Sequence, residues 1–592
     1  MPAVAGIATL RISRSASADR MPGWPTVAAL LLAALLALAV ATAVLPKISS
    51  EGVALASPIF DHSKIAMIDE MARLGVPPAD PFFGGSGNPA RLSYYYLWHF
   101  SAAELSLLAG VSGWEADAGL VWFTAFASLA LMIGLATWLS GRASAGLLVP
   151  LLAAAGSMRP VLNWVVGADW ASAIAGEQSG FGGWLFQTSW ATQHMASATS
   201  AVLAIVLLVR FAQRESIATL LALALTMAAC FECSTWIGGI VFPLAAVPVA
   251  LVMLVRVQPH RRWRIAICLG VAALLAVALI SPFLYDQFRM TELRGGAAPI
   301  AISPYPVLDD SITDAIGGFA NLPAYWLVFL IVEFPAIYLT GIVSLVVFAK
   351  NRALDADTKN VVLASAVLLA VSLCAAWLMV STLGDNNDLG WRAVLPGVVI
   401  LIVFAAAGLS GLFRKPVSMA IIPAFALVLL GIPDGGSTIE GNVVGNFNAL
   451  SKVFAATPAL WQAVRNHSSI RERVANNPLF LEDMTPWPVN ISWALLANRR
   501  SCYAGPALVG PFTALPQSRR DQIEALFERV FAGAGTADDV AQMVTQFNCS
   551  VAVITPEDGA WRRDPFAASP FYRLVEKTSA WRIYRAVAPA RQ

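Results

Sequence analysis

Six ionisable side chains crowd one short stretch of the sequence: Asp61, His62, Lys64, Asp69, Glu70 and Arg73. An aspartate followed directly by a histidine can take a proton and pass it on, and the lysine beside them can meet an anion. The bland alternative is a run of solvated charges ahead of an aromatic anchor, because Tyr94, Tyr95, Tyr96, Trp98 and His99 follow. A second set lies in Gly384-Asp-Asn-Asn-Asp-Leu-Gly-Trp-Arg392, where Asp385 and Asp388 precede a guanidinium able to grip an oxyanion with two parallel hydrogen bonds. The two carboxylates can hold Arg392 in place or bind a divalent cation, and Arg392 can equally be a side chain that reaches from lipid toward water.

Two further carboxylates, Glu232 and Glu333, stand within long apolar runs. Charge in hydrocarbon is costly, so such groups face a cavity or a partner. Glu232 is expected near one end of its helix, where His194 from the preceding run can line the same cavity. Glu333 precedes Pro335, which should interrupt its helix, and a hydrogen bond across helices is its expected role. Cys230 and Cys233 flank Glu232 in a Cys-x-x-Cys pattern, but with no second ligand pair in view they are expected to be buried small apolar residues.

A membrane must position these groups. Of 592 residues, 57% are hydrophobic and only 13% charged, with a mean hydropathy of +0.66. A soluble domain carries about 25% charged residues, so an ordinary soluble enzyme is excluded. The 39 basic and 37 acidic residues leave a net charge of +2, too little for the field that nucleic-acid binding needs. Apolar runs long enough to cross about 30 Å of hydrocarbon begin near Thr26, Ala118, Ser144, Gln193, Ser216, Trp236, Ile265, Leu322, Asn360, Ala393 and Pro416. They predict about 11 spans. The first is read as a retained anchor after a cytoplasmic segment 1–25 containing Arg11, Arg14 and Arg20, because it is longer than a typical signal-peptide core.

The stretch 94–111 is apolar but contains His99 and Glu104, and its placement fixes the sidedness of everything after it. Laid on the outer surface as an interfacial helix, it leaves Arg142, Arg210, Arg214, Arg256 to Arg264, Lys350, Arg352, Arg414 and Lys415 on the cytoplasmic side, as the bias of short loops requires. The outer segments are then 46–117, 158–192, 286–321, 384–392 and the tail from 434. Many tryptophans, including Trp164, Trp170, Trp184, Trp190 and Trp236, fall near outer boundaries and read as interfacial anchors.

The fold class expected is an all-α polytopic domain, 26–433, followed by a small extracytoplasmic α/β domain, 434–592. In the tail, amphipathic stretches at 518–532 and 537–547 predict helices, and apolar runs at 551–555, 571–575 and 581–587 predict strands, the last two as a hairpin. Cys502 and Cys549 are the tail's cysteines, and whether they bridge is open from sequence alone.

Asp61, about 15 residues past the first span, is followed by the turn Gly75-Val-Pro77. An aromatic helix opened by Tyr94-Tyr95 and Trp98, and a short Gly-to-Ala link into the next span, come after it. This arrangement over residues 46–140 resembles the membrane glycosyltransferases of the GT-C superfamily, which includes the lipid A aminoarabinose transferases and the protein O-mannosyltransferases. The Tyr94-Tyr95-Tyr96 run is also similar to a group of multispanning proteins noted for a triple-tyrosine motif. The resemblance implies transfer of a sugar from a polyprenyl-phosphate donor to a glycan, lipid or protein acceptor, at the outer face of a bacterial inner membrane. Under it, Asp61 is the base, with His62 sharing or orienting that work. Arg392 is the strongest phosphate candidate, with Arg289 and Arg294 weaker ones and Lys64 another. Tyr94, Tyr95, His194, Glu232, Asp385 and Asp388 are further substrate contacts. Many members carry paired acids in this loop, where this chain has Asp61 next to His62, so the need for a divalent cation stays open. A transporter path through Glu232, Glu333 and His194, or a non-catalytic glycan-binding scaffold, are the alternatives.

Overall fold

The computed structural model describes residues 23–45, 47–49, 52–54, 63–85, 91–177, 179–294, 298–382, 387–412, 421–445, 458–478 and 491–587. They form two compact units: 1–43, 121–282 and 298–443 make up the first, and 44–120, 283–297 and 444–592 the second.

Every expected span finds a helix. Eight helices are long and apolar enough to cross a membrane: Trp24–Val44, Gly113–Ser140, Thr192–Gln213, Ile237–Arg256, Pro259–Leu293, Ala356–Leu378, Asp388–Gly411 and Ile422–Val444. Two more segments are bent pairs, Ala143–Ala154 with Arg159–Val166 at 52° and Asp310–Ile316 with Gly318–Glu333 at 111°, giving up to ten spans among the described residues. The eleventh expected span is the shorter apolar helix Ile217–Cys233, which stops because Ser234 is extended (φ −162°, ψ 113°). The chain is a multi-pass membrane protein. Its last apolar helix runs on to Val444, past the expected boundary at 433.

Within the first unit, Thr192–Gln213 and Asp388–Gly411 are buried almost all round, whereas Pro259–Leu293 is mostly exposed. That is the pattern of a central pair ringed by helices with an outward apolar face. Asp355 caps Ala356–Leu378 by accepting from the Thr358 N–H at 2.8 Å. Pro335 has no N–H to continue a helix, and Leu330–Glu333 ends there, with a new helix starting at Tyr338. Trp164 and Trp170 are exposed, as interfacial anchors should be. Trp184 and Trp190 are buried, contrary to that expectation, because they lie on the inner helix Trp184–Trp190.

The second unit contains the aromatic helix, Leu97–Ala109. Its 13 residues reach about 20 Å, well short of a bilayer core, and Gly110 ends it in the left-handed conformation (φ 66°). It packs against Ser63–Leu74. The tail is the expected α/β fold. Its five strands are β1 (Arg473–Ala475), β2 (Arg500–Ser501), β3 (Cys549–Ile554), β4 (Tyr572–Lys577) and β5 (Arg582–Ala586), in the order β2-β1-β3-β5-β4. β1 runs parallel to β2 and β3, while β4 and β5 form the expected antiparallel hairpin. Helices Gln517–Phe531 and Ala537–Thr545 match the amphipathic stretches, the second opened by a reciprocal Thr536–Asp539 capping box. Cys502 and Cys549 are bonded, with Cα atoms 5.4 Å apart.

The edge of β2 is not left open. Ser501 and Ala504 donate their N–H groups to Pro81 and Phe82 at 2.9 Å, and Gly84 donates to Cys502 at 3.0 Å. A stretch of the first loop thus pairs with the sheet edge, which would otherwise present unsatisfied backbone.

Candidate functional site

In the first unit the site is built around Arg392. Asn387 caps the six-residue helix Asp388–Ala393, its Oδ1 accepting from the N–H groups of Gly390 at 3.0 Å and Ser381 at 3.1 Å. Arg392 is buried (3% exposed). Its Nη1 donates to Gln187 Oε1 at 2.5 Å and its Nη2 lies 3.4 Å from Asp388 Oδ1. The guanidinium carbon sits 4.2 Å from the Trp190 ring centre, a cation–π stack. Gln187 is fully buried and donates its own Nε2 to the Gly180 carbonyl. Its neighbours Thr188 and Ser189 donate to carbonyls four residues back, so the helix carries these polar groups inward without leaving them unsatisfied. Gly180 allows the close packing: a Cβ there would lie 2.3 Å from Trp391 and 2.6 Å from Trp190. Among the described residues, Arg392 Nε and Asn387 Nδ2 are buried donors without a hydrogen-bond partner.

The same unit holds the other in-span candidates. His194 Nδ1 is 2.8 Å from Ser234 Oγ, and Ser234 lies two residues past Glu232, which is half-buried on the last turn of Ile217–Cys233. Cys230 and Cys233 are buried, as expected. Glu333 makes its cross-helix bond to Arg159 Nε, while Arg159 donates its other two nitrogens to the Gly176 and Ala175 carbonyls at 2.7 Å each.

Asp61, His62 and Asp385 lie outside the described residues. In the second unit, Lys64 is buried on helix Ser63–Leu74, near the fully buried His99. Burial, with Lys64 adding repulsion, pushes the His99 imidazole down to about 3, so it is neutral. The Tyr94 and Tyr95 ring centres are 4.0 Å apart, and Tyr94 meets Phe512 edge-on at 5.0 Å. Arg289 is exposed over Tyr285 at 5.9 Å, and Arg294 donates to the Pro511 carbonyl at 2.5 Å. Among the described residues no group of three or more His, Cys, Asp and Glu side chains can hold a metal ion.

The remaining first-loop charges are internal. Glu70, fully buried, is ion-paired with Arg73 at 2.9 Å and Arg500 at 2.7 Å, and Arg73 also donates to Asn498 Oδ1. Burial pushes Asp69 up to about 6 and Asp80 up to about 7, the latter although Thr513 and the Phe82 N–H both donate to it. Arg473, pulled down to about 9 by burial, donates to the carbonyls of Ser501 at 2.6 Å and Asp80 at 2.8 Å.

Sequence reasoning missed Gln187, Asn387 and Arg159. Gln187 and Trp190 are three apart, so on a helix they share a face, and that spacing was the available signal.

A multi-pass helical membrane domain followed by a Rossmann-like α/β domain defines the class. A family model described as the Y4nK C-terminal Rossmann-like domain matches residues 450–585. The chain is 31% identical over 591 residues to the "Uncharacterized protein y4nK" of Sinorhizobium fredii (strain NBRC 101917 / NGR234), covering 96% of this chain and 86% of that protein. The chain belongs to the y4nK family. Among solved structures it is similar to the archaeal oligosaccharyltransferase AglB from Archaeoglobus fulgidus (TM-score 0.46, 10% identity, 96% of this chain and 74% of that one). It is also similar to ArnT from Cupriavidus metallidurans (0.46, 14%, 96% and 98%) and to the arabinofuranosyltransferase AftD from Mycobacteria (0.49, 13%, 96% and 40%). These neighbours have the GT-C fold.

Proposed function

We propose that the protein is a membrane glycosyltransferase that moves a sugar from a polyprenyl-phosphate donor to a hydroxyl or amine of a glycan, lipid or protein. The reaction takes place at the outer face of a bacterial inner membrane, with the C-terminal domain extracytoplasmic. Arg392 carries this reading: a buried guanidinium held by the Gln187 and Asp388 oxygens and an aromatic face, its Nε without an acceptor among the described residues, suits the phosphate that must leave with a growing negative charge. The Cys502–Cys549 bond supports the outer placement of the tail, since such bonds persist in oxidising compartments.

In the reaction the acceptor O–H or N–H gives its proton to the Asp61 carboxylate. The freed electron pair forms the new bond to the anomeric carbon from the face opposite the phosphate, which inverts that carbon. The old carbon–oxygen bond breaks, and its pair stays on the phosphate, where Arg392 compensates it. Lys64 is a second phosphate candidate.

The test is the envelope glycan profile, by mass spectrometry, of cells lacking the protein and complemented with variants. Asp61→Asn should lower transfer by about 10²–10⁴-fold and Arg392→Ala by about 10²–10³-fold, with normal amounts of folded protein. Full transfer by Asp61→Asn removes the assigned base. Sensitivity confined to Glu232 and Glu333 would point instead to a transporter.

A further inference from the structure

Arg392 does not set its own position. Its stem rises from the first turns of the buried span Asp388–Gly411, and a long arginine side chain has several rotamers open to it. Two residues of another segment restrict it. Gln187 takes Nη1 with its Oε1, and Gln187 is itself fixed because its Nε2 donates to Gly180. Trp190 supplies a face 4.2 Å below the guanidinium, and it is held by Phe186 and by Trp391, with ring centres 5.6 and 5.9 Å away. With Nη1 on Gln187 and Nη2 toward Asp388, the nitrogen left over is Nε, buried and without an acceptor among the described residues. A buried charged donor left without an acceptor is expensive unless something accepts from it, and a ligand oxygen can do so.

We propose that Gln187 and Trp190 are positioning residues that turn Arg392 so that Nε faces an incoming oxyanion, the phosphate of a polyprenyl phosphate. This rests on the phosphate role given to Arg392 above. Neither residue touches the ligand; both act through the guanidinium. Removing either should therefore weaken phosphate binding only while Arg392 is present.

The experiment is a double-mutant cycle on the full-length protein in nanodiscs, with radiolabelled undecaprenyl phosphate as the probe and thermal melting as the check on folding. Gln187→Ala and Trp190→Leu are each expected to raise Kd about tenfold, the loss of one hydrogen bond or stack to a charged group, in protein that melts at a lower temperature but still cooperatively. Trp190→Tyr keeps an aromatic face and should restore most of the affinity. In an Arg392→Ala background, Gln187→Ala should add less than about twofold, because the group it orients is gone. A full tenfold effect in that background, or no effect in the wild type, overturns the positioning role while leaving the phosphate role standing. Unchanged binding by Arg392→Ala itself overturns both. If Gln187→Ala does not fold, the same cycle with Trp190→Leu and Trp190→Tyr decides the matter.

Discussion

The two units bury charge in different ways. In the membrane unit the half-buried Arg159 and the buried Arg392 each stand by themselves. Arg159 has one carboxylate, Glu333, and two backbone carbonyls, and Arg392 has one amide, one carboxylate and one indole face. In the α/β unit the charges are pooled: Glu70 lies between Arg73 and Arg500, and Arg473 and Asp80 sit nearby with their own carbonyl and hydroxyl partners. An isolated pair in a low-dielectric setting loses almost everything when one member is removed, whereas a network redistributes part of the loss. Within the membrane unit the two arginines differ. Arg159 has every nitrogen engaged and ties chain segments together, while the Nε of Arg392 has no acceptor among the described residues and can serve a ligand.

The largest effect should come from breaking the isolated pair. Glu333→Ala leaves the half-buried Arg159 guanidinium with carbonyls alone, and the expected loss is about 3 kcal/mol, read as a fall in the thermal midpoint of the full-length protein in detergent. Replacing both partners, Arg159→Met with Glu333→Leu, should recover much of that loss because no uncompensated charge remains. By contrast Arg73→Ala, which removes one of two cations on Glu70, should cost less than Glu333→Ala. If the two single variants melt together, the contrast between isolated and pooled charge fails.

Why some of this was legible and some was not follows from range. The spans, the tail's amphipathic helices and its hairpin are local patterns of hydrophobicity, and each appeared where its period placed it. Glu333 beside Pro335 was legible too, because a carboxylate in an apolar run requires a partner, although Arg159 as that partner lies 174 residues away. The run from Lys64 to Arg73 reads from sequence either as chemistry-bearing or as solvated charge, and its ion pairs were not legible because the partners, Asn498 and Arg500, come more than 400 residues later. β1 and β2, of three and two residues, are too short to show alternation. Trp184 and Trp190 were placed at the membrane surface by position alone, and only the path of their short helix buries them.

An intermediate effect is expected where the first loop meets the sheet edge. A Cβ at position 84 would lie 2.1 Å from the Phe547 carbonyl oxygen and 2.7 Å from Arg473 Cδ, so a glycine is required for the backbone to reach Cys502. Gly84→Ala must displace either the strand edge or Arg473, at roughly 1–3 kcal/mol. Hydrogen exchange should localise the change. The Ala504 and Ser501 amides, which donate to Phe82 and Pro81, should exchange faster, while those of the β4–β5 hairpin should not. Uniform acceleration through the whole sheet would mean that the loop is part of the sheet's core and not an attachment to its edge.

The smallest effect is a pH dependence that pooled charge makes possible. Burial raises Asp80 from its usual 3.8 to about 7 in the folded chain. The folded state therefore keeps a proton that the unfolded state releases, and stability falls as pH rises from about 4 to about 7, then levels off once both states are ionised. Asp69, raised to about 6, acts with the same sign over a narrower window. The protein should melt a few degrees higher at pH 5 than at pH 8. Asp80→Asn retains an acceptor for the Phe82 N–H but cannot ionise, so it should remove most of that difference and gain most at pH 8. A wild type that is more stable at pH 8, or an Asp80→Asn variant that keeps the whole difference, would show that Arg473 and the Thr513 hydroxyl hold Asp80 ionised in the folded chain. The α/β unit would then carry its charges as fixed pairs, as the membrane unit does.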